Sequence, residues 1–410
     1  MINDISYKNY RRCDDIHGTV LYPAVMIAPV QKDVLLEIAK QTQTPINSIL
    51  DPFHGSGTAL YESALVFPEA HIYGCDINPL ANLITKVKLS GVSENIQDNI
   101  KRVEQLLLSD KDDEVYEFEN QKKWFRSDVI QSLSKVRRCI QQISDERDRD
   151  FFWCMLSDII RRYSNSRSST YKLHIKTQAK INSMENNVIF DFLESIKRNF
   201  SKYDLHFENI HLYKTDTLGY LPTLADQCMD LVITSPPYGD NQTTVPYGLF
   251  SSLAMRWIPQ EDMQIEGWEF SNYSIVDSHS LGSSKNVPPI SKADHALIEP
   301  YLKHICVTKQ KKVERFFAAY FEALEETARV CRQYLVLTLG NRTVDNVQIN
   351  LSEISAKYLD KHGFDEYQTV SRDILNKRTP RFTSKVNDKP VRSMDREYVL
   401  IYQRVSRNKT

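Results

Sequence analysis

The stretch at residues 231–240 (LVITSPPYGD) joins a predicted strand to groups that could bind a ligand. The apolar run 229–233 predicts a buried strand, and the two prolines that follow must end it because proline cannot donate a ladder hydrogen bond. The stiff loop 235–238 then presents one hydroxyl, two backbone carbonyls and one aromatic ring. Open α/β sheets bind ligands at the carboxyl ends of their strands, so this loop is either a ligand site or a rigid turn with an exposed tyrosine.

A glycine loop follows an earlier predicted strand at residues 47–51 (NSILD). Residues 52–58 (PFHGSGT) form the loop, and residues 59–66 have helical spacing. In this order of strand, loop and helix, backbone can approach a ligand at a helix N-terminus. No lysine follows Gly57, which disfavours a phosphate-loop NTPase, and the spacing is not the Gly-x-Gly-x-x-Gly of dinucleotide binders.

A second predicted strand, residues 71–75, ends in Asp76. An acidic residue at the end of the second strand, about 20 residues after a glycine loop, suits hydrogen bonding to ribose hydroxyls. The glycine loop and Asp76 together predict a cofactor that carries a nucleoside.

Three short motifs in this order, DPFHGSGT (51–58), CDINP (75–79) and TSPPY (234–238), resemble those of the amino-methylating DNA methyltransferases that use S-adenosylmethionine. The SPPY form resembles the cytosine-N4 branch. Residues 17–29 (HGTVLYPAVMIAP) are similar to the additional cofactor-side motif of that family. The similarity continues through GNRTV and the last strand, so it covers most of the chain.

The resemblance implies that S-adenosylmethionine is the cofactor. Asp51, Gly55 and Gly57 are then expected at its methionine end, Asp76 at the ribose hydroxyls and Asp216 at the adenine amine. The full set of expected cofactor-binding residues is Tyr22, Asp51, Phe53, Gly55, Gly57, Asp76, Ile77 and Asp216. For Tyr22, packing in the local core is the alternative.

The implied reaction is methylation of the exocyclic N4 of a cytosine flipped out of duplex DNA. Ser235 Oγ and the Pro236 carbonyl would accept hydrogen bonds from the amine, and Pro237 would keep the turn rigid. Tyr238 would stack on the base, a contact worth ~1–3 kcal/mol. These four residues are the predicted catalytic set.

Other activities are weighed against this one. Methylation at a ring carbon of cytosine needs a cysteine nucleophile that usually follows proline, and none of the seven cysteines does. Adenine-N6 methylation uses the same geometry and commonly has Asp or Asn where Ser235 stands. Methylation of structured RNA and a DNA-binding protein without turnover are the remaining alternatives.

The net charge of −1 conceals two basic regions. Residues 121–180 contain 14 Lys and Arg against 6 Asp and Glu, and residues 371–410 contain 11 against 4. These regions predict a local surface for a polyanion, or else solvated basic faces. The predicted DNA-binding residues are Arg161, Arg162, Arg167, Lys172, Arg378 and Arg381.

The element pattern predicts an α/β fold with a doubly wound, mostly parallel seven-stranded sheet, an antiparallel last strand and an α-helical insertion. The predicted strands are 47–51, 71–75, 209–213, 229–233, 334–339, 364–372 and 397–403. Residues 1–90, 206–258 and 311–405 are expected to form a discontinuous catalytic domain. Residues 91–205 are then a helical insertion, and residues 259–310 an irregular insertion that could recognise the target.

The chain has no apolar run of the ~20 residues that span a bilayer and no signal-peptide core, so a cytoplasmic location is expected. The cysteines are scattered without Cys-x-x-Cys spacing, and neither a disulfide framework nor a metal site is predicted. Double-stranded DNA is the expected partner. A cognate restriction endonuclease is a further expected partner if the protein belongs to a restriction-modification system.

Overall fold

The computed structural model describes residues 2, 5–239, 245–263, 275–283, 287–374, 382–386, 389–392 and 396–405. Within these residues no helix is both long and apolar enough to cross a membrane.

Seven strands form the main sheet, in the order β3-β2-β1-β4-β5-β11-β8. The strands are β1 (Ser48–Asp51), β2 (His71–Cys75), β3 (Ile210–Tyr213), β4 (Met229–Thr234), β5 (Cys331–Gly340), β6 (Arg342–Val344), β7 (Val347–Ile349), β8 (Phe364–Asp373), β9 (Phe382–Val386), β10 (Lys389–Arg392) and β11 (Arg396–Arg404). The pairs β6–β7 and β9–β10 lie outside the main sheet. The seven predicted strands all occur in it, with ends shifted by up to three residues.

The direction of the strands confirms the predicted fold class. β3, β2, β1, β4 and β5 are parallel, whereas β11 runs antiparallel to both β5 and β8. Helical connections carry the chain between most of the parallel strands, as parallel pairing requires. The sequence predicted this pattern, including the antiparallel last pair.

The helices of the described residues cover both faces of the sheet. They are α1 (Ala28–Gln41), α2 (Thr58–Val66), α3 (Pro79–Ser90), α4 (Ile96–Ser109), α5 (Gln121–Trp124), α6 (Ser127–Gln141), α7 (Glu146–Tyr163), α8 (Gln178–Asn182), α9 (Val188–Asn199), α10 (Thr217–Tyr220), α11 (Tyr247–Trp257), α12 (Gln260–Met263), α13 (Ile275–His279), α14 (Lys292–Leu302), α15 (Val307–Val330) and α16 (Leu351–Lys361). Short 3₁₀ turns lie at Arg12–Asp14, Ile16–Gly18, Phe200–Lys202 and Leu221–Thr223.

Two hydrophobic cores lie on opposite faces of the sheet because successive side chains of a strand point to opposite sides. Ile49, Leu231 and Ile233 pack in a core shared with α1–α3 and with the insertion helices α4, α6, α7 and α9. Leu50 and Val232, from the same strands, pack in the second core with α14–α16. The insertion is therefore joined to the sheet by a continuous core.

Helix α3 bonds to the glycine loop through Thr85 and Lys88. Asn78 caps its N-terminus, since its side chain accepts a hydrogen bond from Leu80 N at 3.1 Å, and Pro79 occupies the first turn. Gly91, with φ +63°, ends the helix. The helix thus has defined ends and presents a fixed face to the loop.

Both insertions contain helices in their described parts. Phe151, Phe152 and Trp153 on α7 are fully buried in the core. The expectation that residues 259–310 are irregular is wrong for the described part, which contains α12, α13 and α14. The Ser291 side chain caps the N-terminus of α14, and Ile298 is buried on this helix.

Gly57 provides a test of the turn between β1 and α2. Its φ is +74°, and a Cβ added there would lie 2.6 Å from the Thr85 side chain. We expect Gly57→Ala to lower the free energy of unfolding by about 1–2 kcal/mol or more. Alanine is strained at this left-handed φ, and its Cβ would also overpack against Thr85. Urea unfolding measures the change.

Gly219→Ala is the matched control, since nothing lies within 4 Å of a Cβ added at Gly219 in α10. A Gly57→Ala protein as stable as the Gly219→Ala protein would contradict the described turn.

Candidate active site

A cleft opens at the carboxyl ends of β1, β2 and β4. It contains about 1160 Å³ of space between protein atoms, counting solvent at its mouth, against the ~300–1,000 Å³ of most small-molecule sites. Ten of the predicted cofactor-binding and catalytic residues line it: Tyr22, Phe53, Gly55, Asp76, Ile77, Asp216, Ser235, Pro236, Pro237 and Tyr238. The glycine loop and the 235–238 loop therefore share one cavity, although neither motif alone indicated the other.

Asp51, the last residue of β1, forms hydrogen bonds to both loops. Its Oδ1 accepts hydrogen bonds from Phe53 N at 3.0 Å, in the glycine loop, and from Thr234 Oγ1 at 2.6 Å, immediately before Ser235. The side chain is 0% exposed, and burial raises its pKa to about 7. Asp51 is not among the residues that line the cavity and supports both loops from within the sheet, and its contact with a cofactor stays a prediction.

Gly57 is also not among the residues that line the cavity. Its amide donates to His54 O at 2.7 Å, and its Cα faces Thr85 of α3. The positive φ and the closeness of Thr85 favour glycine at this place, and a contact of Gly57 with a cofactor stays a prediction.

Asp76 fixes the glycine loop from the end of β2. Its Oδ2 accepts from Gly55 N at 2.9 Å, and its Oδ1 accepts from Asn78 N at 2.7 Å. Burial raises the pKa of this carboxyl, and the nearby His54 imidazole opposes the shift. The carboxylate is therefore held rigidly at the cavity.

Tyr22 forms part of an aromatic wall with residues from α11. Its hydroxyl accepts from Asn78 Nδ2 at 3.0 Å, and its ring stacks on Tyr247 with centroids 5.8 Å apart. Tyr247 and Asn78 also line the cavity but were not predicted. The Asn-Pro pair at the start of α3 was the available signal for Asn78, because it marks a helix cap beside a strand end.

Ser235 and Tyr238 contact each other across the turn made by the two prolines. Ser235 Oγ and Tyr238 Oη lie 3.1 Å apart, at hydrogen-bonding distance. Tyr238 is half-buried, and burial raises the pKa of its phenol, so the hydroxyl stays protonated at neutral pH. The loop therefore carries a fixed pair of hydroxyls and a partly accessible ring.

The 259–310 segment contributes to the cavity, a feature that the sequence did not reveal. Val276, Ser280 and Leu281 line it. The Asp277 carboxylate accepts hydrogen bonds from Gly248 N at 2.9 Å and Leu249 N at 3.0 Å. This carboxylate holds the segment against the first turn of α11, which the spacing of apolar residues could not predict.

The charge of the cavity favours some ligands over others. Asp76 and Asp216 line it, and Asp51 lies beneath it; burial raises the pKa of each. Among the described residues that line it, none is lysine or arginine. The site suits a ligand that carries positive charge and does not suit a polyphosphate.

Arg161 does not have the exposed position that a phosphate contact requires. Its side chain is 9% exposed, its guanidinium lies 4.3 Å from the centroid of the Phe250 ring, and its Nη2 donates to Thr170 O at 2.7 Å. The hydrogen bond of Arg161 holds the segment that contains Thr170, and its contact with DNA stays a prediction that this buried position does not favour.

That segment is a small hairpin arm, residues 165–176. Arg167 N donates to His174 O at 2.7 Å, and Lys176 N donates to Asn165 O at 2.8 Å. The arm contacts the aromatic wall of the cavity through Tyr171. The ring centroids of Tyr171 and Phe250 lie 5.8 Å apart, and those of Phe250 and Tyr22 lie 6.2 Å apart. A basic arm therefore stands beside the cavity.

The remaining predicted DNA-binding residues have different surroundings. Arg167 and Lys172 are exposed on the hairpin arm. Arg162 is exposed but pairs with Asp158 at 3.2 Å and Asp191 at 2.9 Å. Arg378 and Arg381 lie outside the described residues.

The pKa of Asp51 gives a test of its burial. Because its pKa in the folded protein, about 7, exceeds the ordinary value of 3.8, the folded state keeps a proton that the unfolded state loses. Stability is then lost as pH rises from about 4 to 7. We expect Asp51→Asn, neutral at every pH, to be more stable relative to wild type at pH 8 than at pH 5. Urea unfolding at both pH values measures this difference.

Asp113→Asn, at an exposed carboxylate between α4 and α5, is the control. The same stability difference at both pH values for Asp51→Asn would show that Asp51 is not a buried acid.

Comparisons with known proteins bear on the class of protein. No family model matches the chain. The chain is similar to the Type II methyltransferase M.MvaI of Kocuria varians, with 29% identity over 424 residues, covering 94% of this chain and 91% of that protein. This similarity over nearly the whole length supports the DNA methyltransferase family that the motifs indicated.

Proposed function

We propose that this protein is a site-specific DNA methyltransferase that transfers a methyl group from S-adenosylmethionine to the exocyclic N4 of cytosine in duplex DNA. The observation that carries the proposal is the single cavity lined by both the glycine loop and Ser235–Tyr238, with Asp51 bonded to both loops. The similarity to a Type II methyltransferase supports the same class of reaction.

The residues present fit S-adenosylmethionine. When bound, this group supplies an electrophilic methyl on a positively charged sulfonium. Gly55 and Asp76 would hold its methionine and ribose parts, Asp216 its adenine amine, and Tyr22 would contact it from the aromatic wall. The carboxylates suit the cationic charge, and the absence of lysine and arginine among the described lining residues disfavours a nucleoside triphosphate.

The 235–238 loop suits an amine that donates hydrogen bonds. Ser235 Oγ and the Pro236 carbonyl are acceptors, and the two prolines fix their separation. When Ser235 donates its proton to Tyr238 Oη, its own lone pairs stay available to the amine. The exocyclic nitrogen of cytosine is a poor nucleophile because its lone pair is delocalised into the ring. Acceptors placed against its N–H groups increase the electron density on nitrogen.

Tyr238 would provide the stacking face for a flipped base. Its ring is half-buried beside the hydroxyl of Ser235, so a base that stacks on it would lie next to the acceptors. Alignment of the acceptor and exclusion of water, rather than covalent chemistry by the protein, would supply most of the rate enhancement.

Adenine-N6 methylation is the second candidate, and methylation of structured RNA is the third. The amines of cytosine and adenine present similar N–H donors, so the acceptors of the loop fit both. Ser235 in place of Asp or Asn favours cytosine. Nucleoside mass spectrometry of DNA and RNA after incubation with the protein separates the three outcomes.

Substitutions in the loop test the assignment of the acceptor site. We expect Ser235→Ala and Tyr238→Ala each to lower methylation of duplex DNA at least tenfold, while binding of S-adenosylmethionine measured by calorimetry persists. Tyr238→Phe, which keeps the ring, should retain more activity than Tyr238→Ala because stacking contributes ~1–3 kcal/mol.

Ser109→Ala, at an exposed serine that ends α4, is the control and should methylate like wild type. Unchanged turnover in Tyr238→Ala would remove the flipped-base site from this loop. Absence of cofactor binding in the wild-type protein would instead favour a DNA-binding protein without turnover.

We also propose that the hairpin arm contacts the DNA backbone. No acidic residue occurs from 159 to 184, a run that includes six Lys and Arg. Arg167 and Lys172 are exposed on the arm, beside the cavity wall. Arg162, Arg378 and Arg381 stay predictions for DNA contact.

Charge reversal tests the arm. We expect the double variant Arg167→Glu/Lys172→Glu to weaken duplex binding and to lower the slope of log K against log salt by about 2, since each phosphate contact contributes about 0.9. Fluorescence anisotropy at several salt concentrations measures the slope.

Lys101→Glu/Lys197→Glu, at exposed lysines on α4 and α9, is the matched control. An equal slope in both double variants would mean that the arm does not contact DNA.

The protein would then protect DNA from a restriction endonuclease of the same specificity. Sequencing that detects modified cytosines in DNA from an expressing host would identify the target site, and resistance of that DNA to cleavage would test the restriction-modification role.

A further inference from the structure

A buried polar face of α3 supports the glycine loop from the side opposite the cavity. Asn82, Thr85 and Lys88 are spaced three residues apart on this helix, so they lie near one another along one face. All three are buried, and Lys88 is 2% exposed. None of them is among the residues that line the cavity.

Each of these side chains bonds to the glycine loop or to the turn beside it. Thr85 Oγ1 donates to Gly55 O at 3.1 Å, and Lys88 Nζ donates to Ser56 O at 2.6 Å. Asn82 Nδ2 donates to Asp76 O at 2.7 Å. The carbonyls of Gly55 and Ser56 are thereby drawn toward α3, away from the cavity.

Burial of Lys88 at this position is unfavourable in free energy. A lysine is almost never fully buried, because its ammonium loses hydration. Burial lowers the pKa of Lys88 to about 7. Its neighbours are His17, whose Nδ1 lies 3.5 Å from Nζ, and Glu62, whose Oε1 lies 3.0 Å from His17 Nε2. An apolar side chain would fill the space at lower cost, so the bond to Ser56 O requires an explanation.

Ser56 supplies that explanation. It lines the cavity, while its carbonyl accepts the hydrogen bond from Lys88. The bond from Lys88 fixes the peptide plane between Ser56 and Gly57, and the bond from Thr85 to Gly55 O fixes the plane between Gly55 and Ser56. The loop is then set in one conformation before a ligand arrives, which saves the ordering cost at the moment of binding.

We propose that Lys88 is a positioning residue that sets the glycine loop for binding of S-adenosylmethionine, an inference that rests on the proposed function for the identity of the ligand. Lys88 acts through Ser56 and contacts neither cofactor nor DNA. Its loss weakens cofactor binding and leaves the methyl-transfer step unchanged once the site is saturated.

The test compares Lys88→Met with Leu89→Ala, a substitution of the adjacent buried residue on α3 that makes no hydrogen bond to the loop. Calorimetry should give a Kd for S-adenosylmethionine on the order of tenfold higher in Lys88→Met, the size expected for a hydrogen bond to a charged group. Leu89→Ala should lower the melting temperature with a Kd within about twofold of wild type.

Steady-state kinetics provide a readout that a general loss of stability would not reproduce. The KM for S-adenosylmethionine should rise with its Kd in Lys88→Met, while kcat at saturating cofactor stays within about twofold of wild type. A KM equal to that of wild type, or a fall in kcat alone, would overturn the proposal.

Hydrogen exchange of the protein without cofactor separates this proposal from the proposed function. Amides of residues 54–58 should exchange at least tenfold faster in Lys88→Met than in Leu89→Ala, whatever the ligand is. Faster exchange in a protein that binds no S-adenosylmethionine would keep the positioning role and overturn the identity of the ligand. Equal exchange in the two variants would overturn the positioning role.

Lys88→Gln, which keeps a hydrogen-bond donor, is the second variant and should give Kd and exchange values between those of wild type and Lys88→Met. If both Lys88 variants fail to fold while Leu89→Ala folds, Lys88 is required for the structure as a whole and the proposal is wrong.

Discussion

The structure of the cavity depends on one hydrogen-bonded carboxylate at the end of β1. Asp51 accepts from the glycine loop and from the residue before Ser235, so two loops separated by about 180 residues of sequence have a common anchor. The anchor is fully buried at the carboxyl end of β1, within the sheet. The relation between the cofactor side and the acceptor side of the proposed reaction is therefore set by the sheet and not by the loops themselves.

The order of the strands and helices could be predicted from the sequence, whereas the contacts of several cavity residues could not. Strands such as 71–75 were predicted because a buried strand needs only a short apolar run with a clear stop. Asp51 was expected to meet a ligand, but a carboxylate that caps a loop and one that binds a cofactor occupy the same place in a motif. The structure adds the 2.6 Å hydrogen bond from Thr234 Oγ1, which the sequence could not reveal, and the cofactor contact of Asp51 stays a prediction.

Long-range packing explains the other differences. Arg161 carries the same charge as Arg167, yet one lies over the Phe250 ring and the other is exposed. Periodicity within α7 could not reveal Phe250, which is about 90 residues away. Val276, Ser280 and Leu281 were missed for a similar reason, since Asp277 brings them to the cavity by capping α11. The sequence thus predicted which loops form the site but not the segments that close around it.

The placement of β11 has a consequence for how the chain reaches its folded state. This strand comes last in chain order but lies between β5 and β8, and it pairs with both along most of its length. During synthesis β5 is a bare hydrophobic edge until β11 emerges, about 60 residues after β5 ends. Exposed edges of this kind are where nascent sheets aggregate. The sheet that carries the cavity is therefore completed by a late, long-range pairing of β11 with β5 and β8.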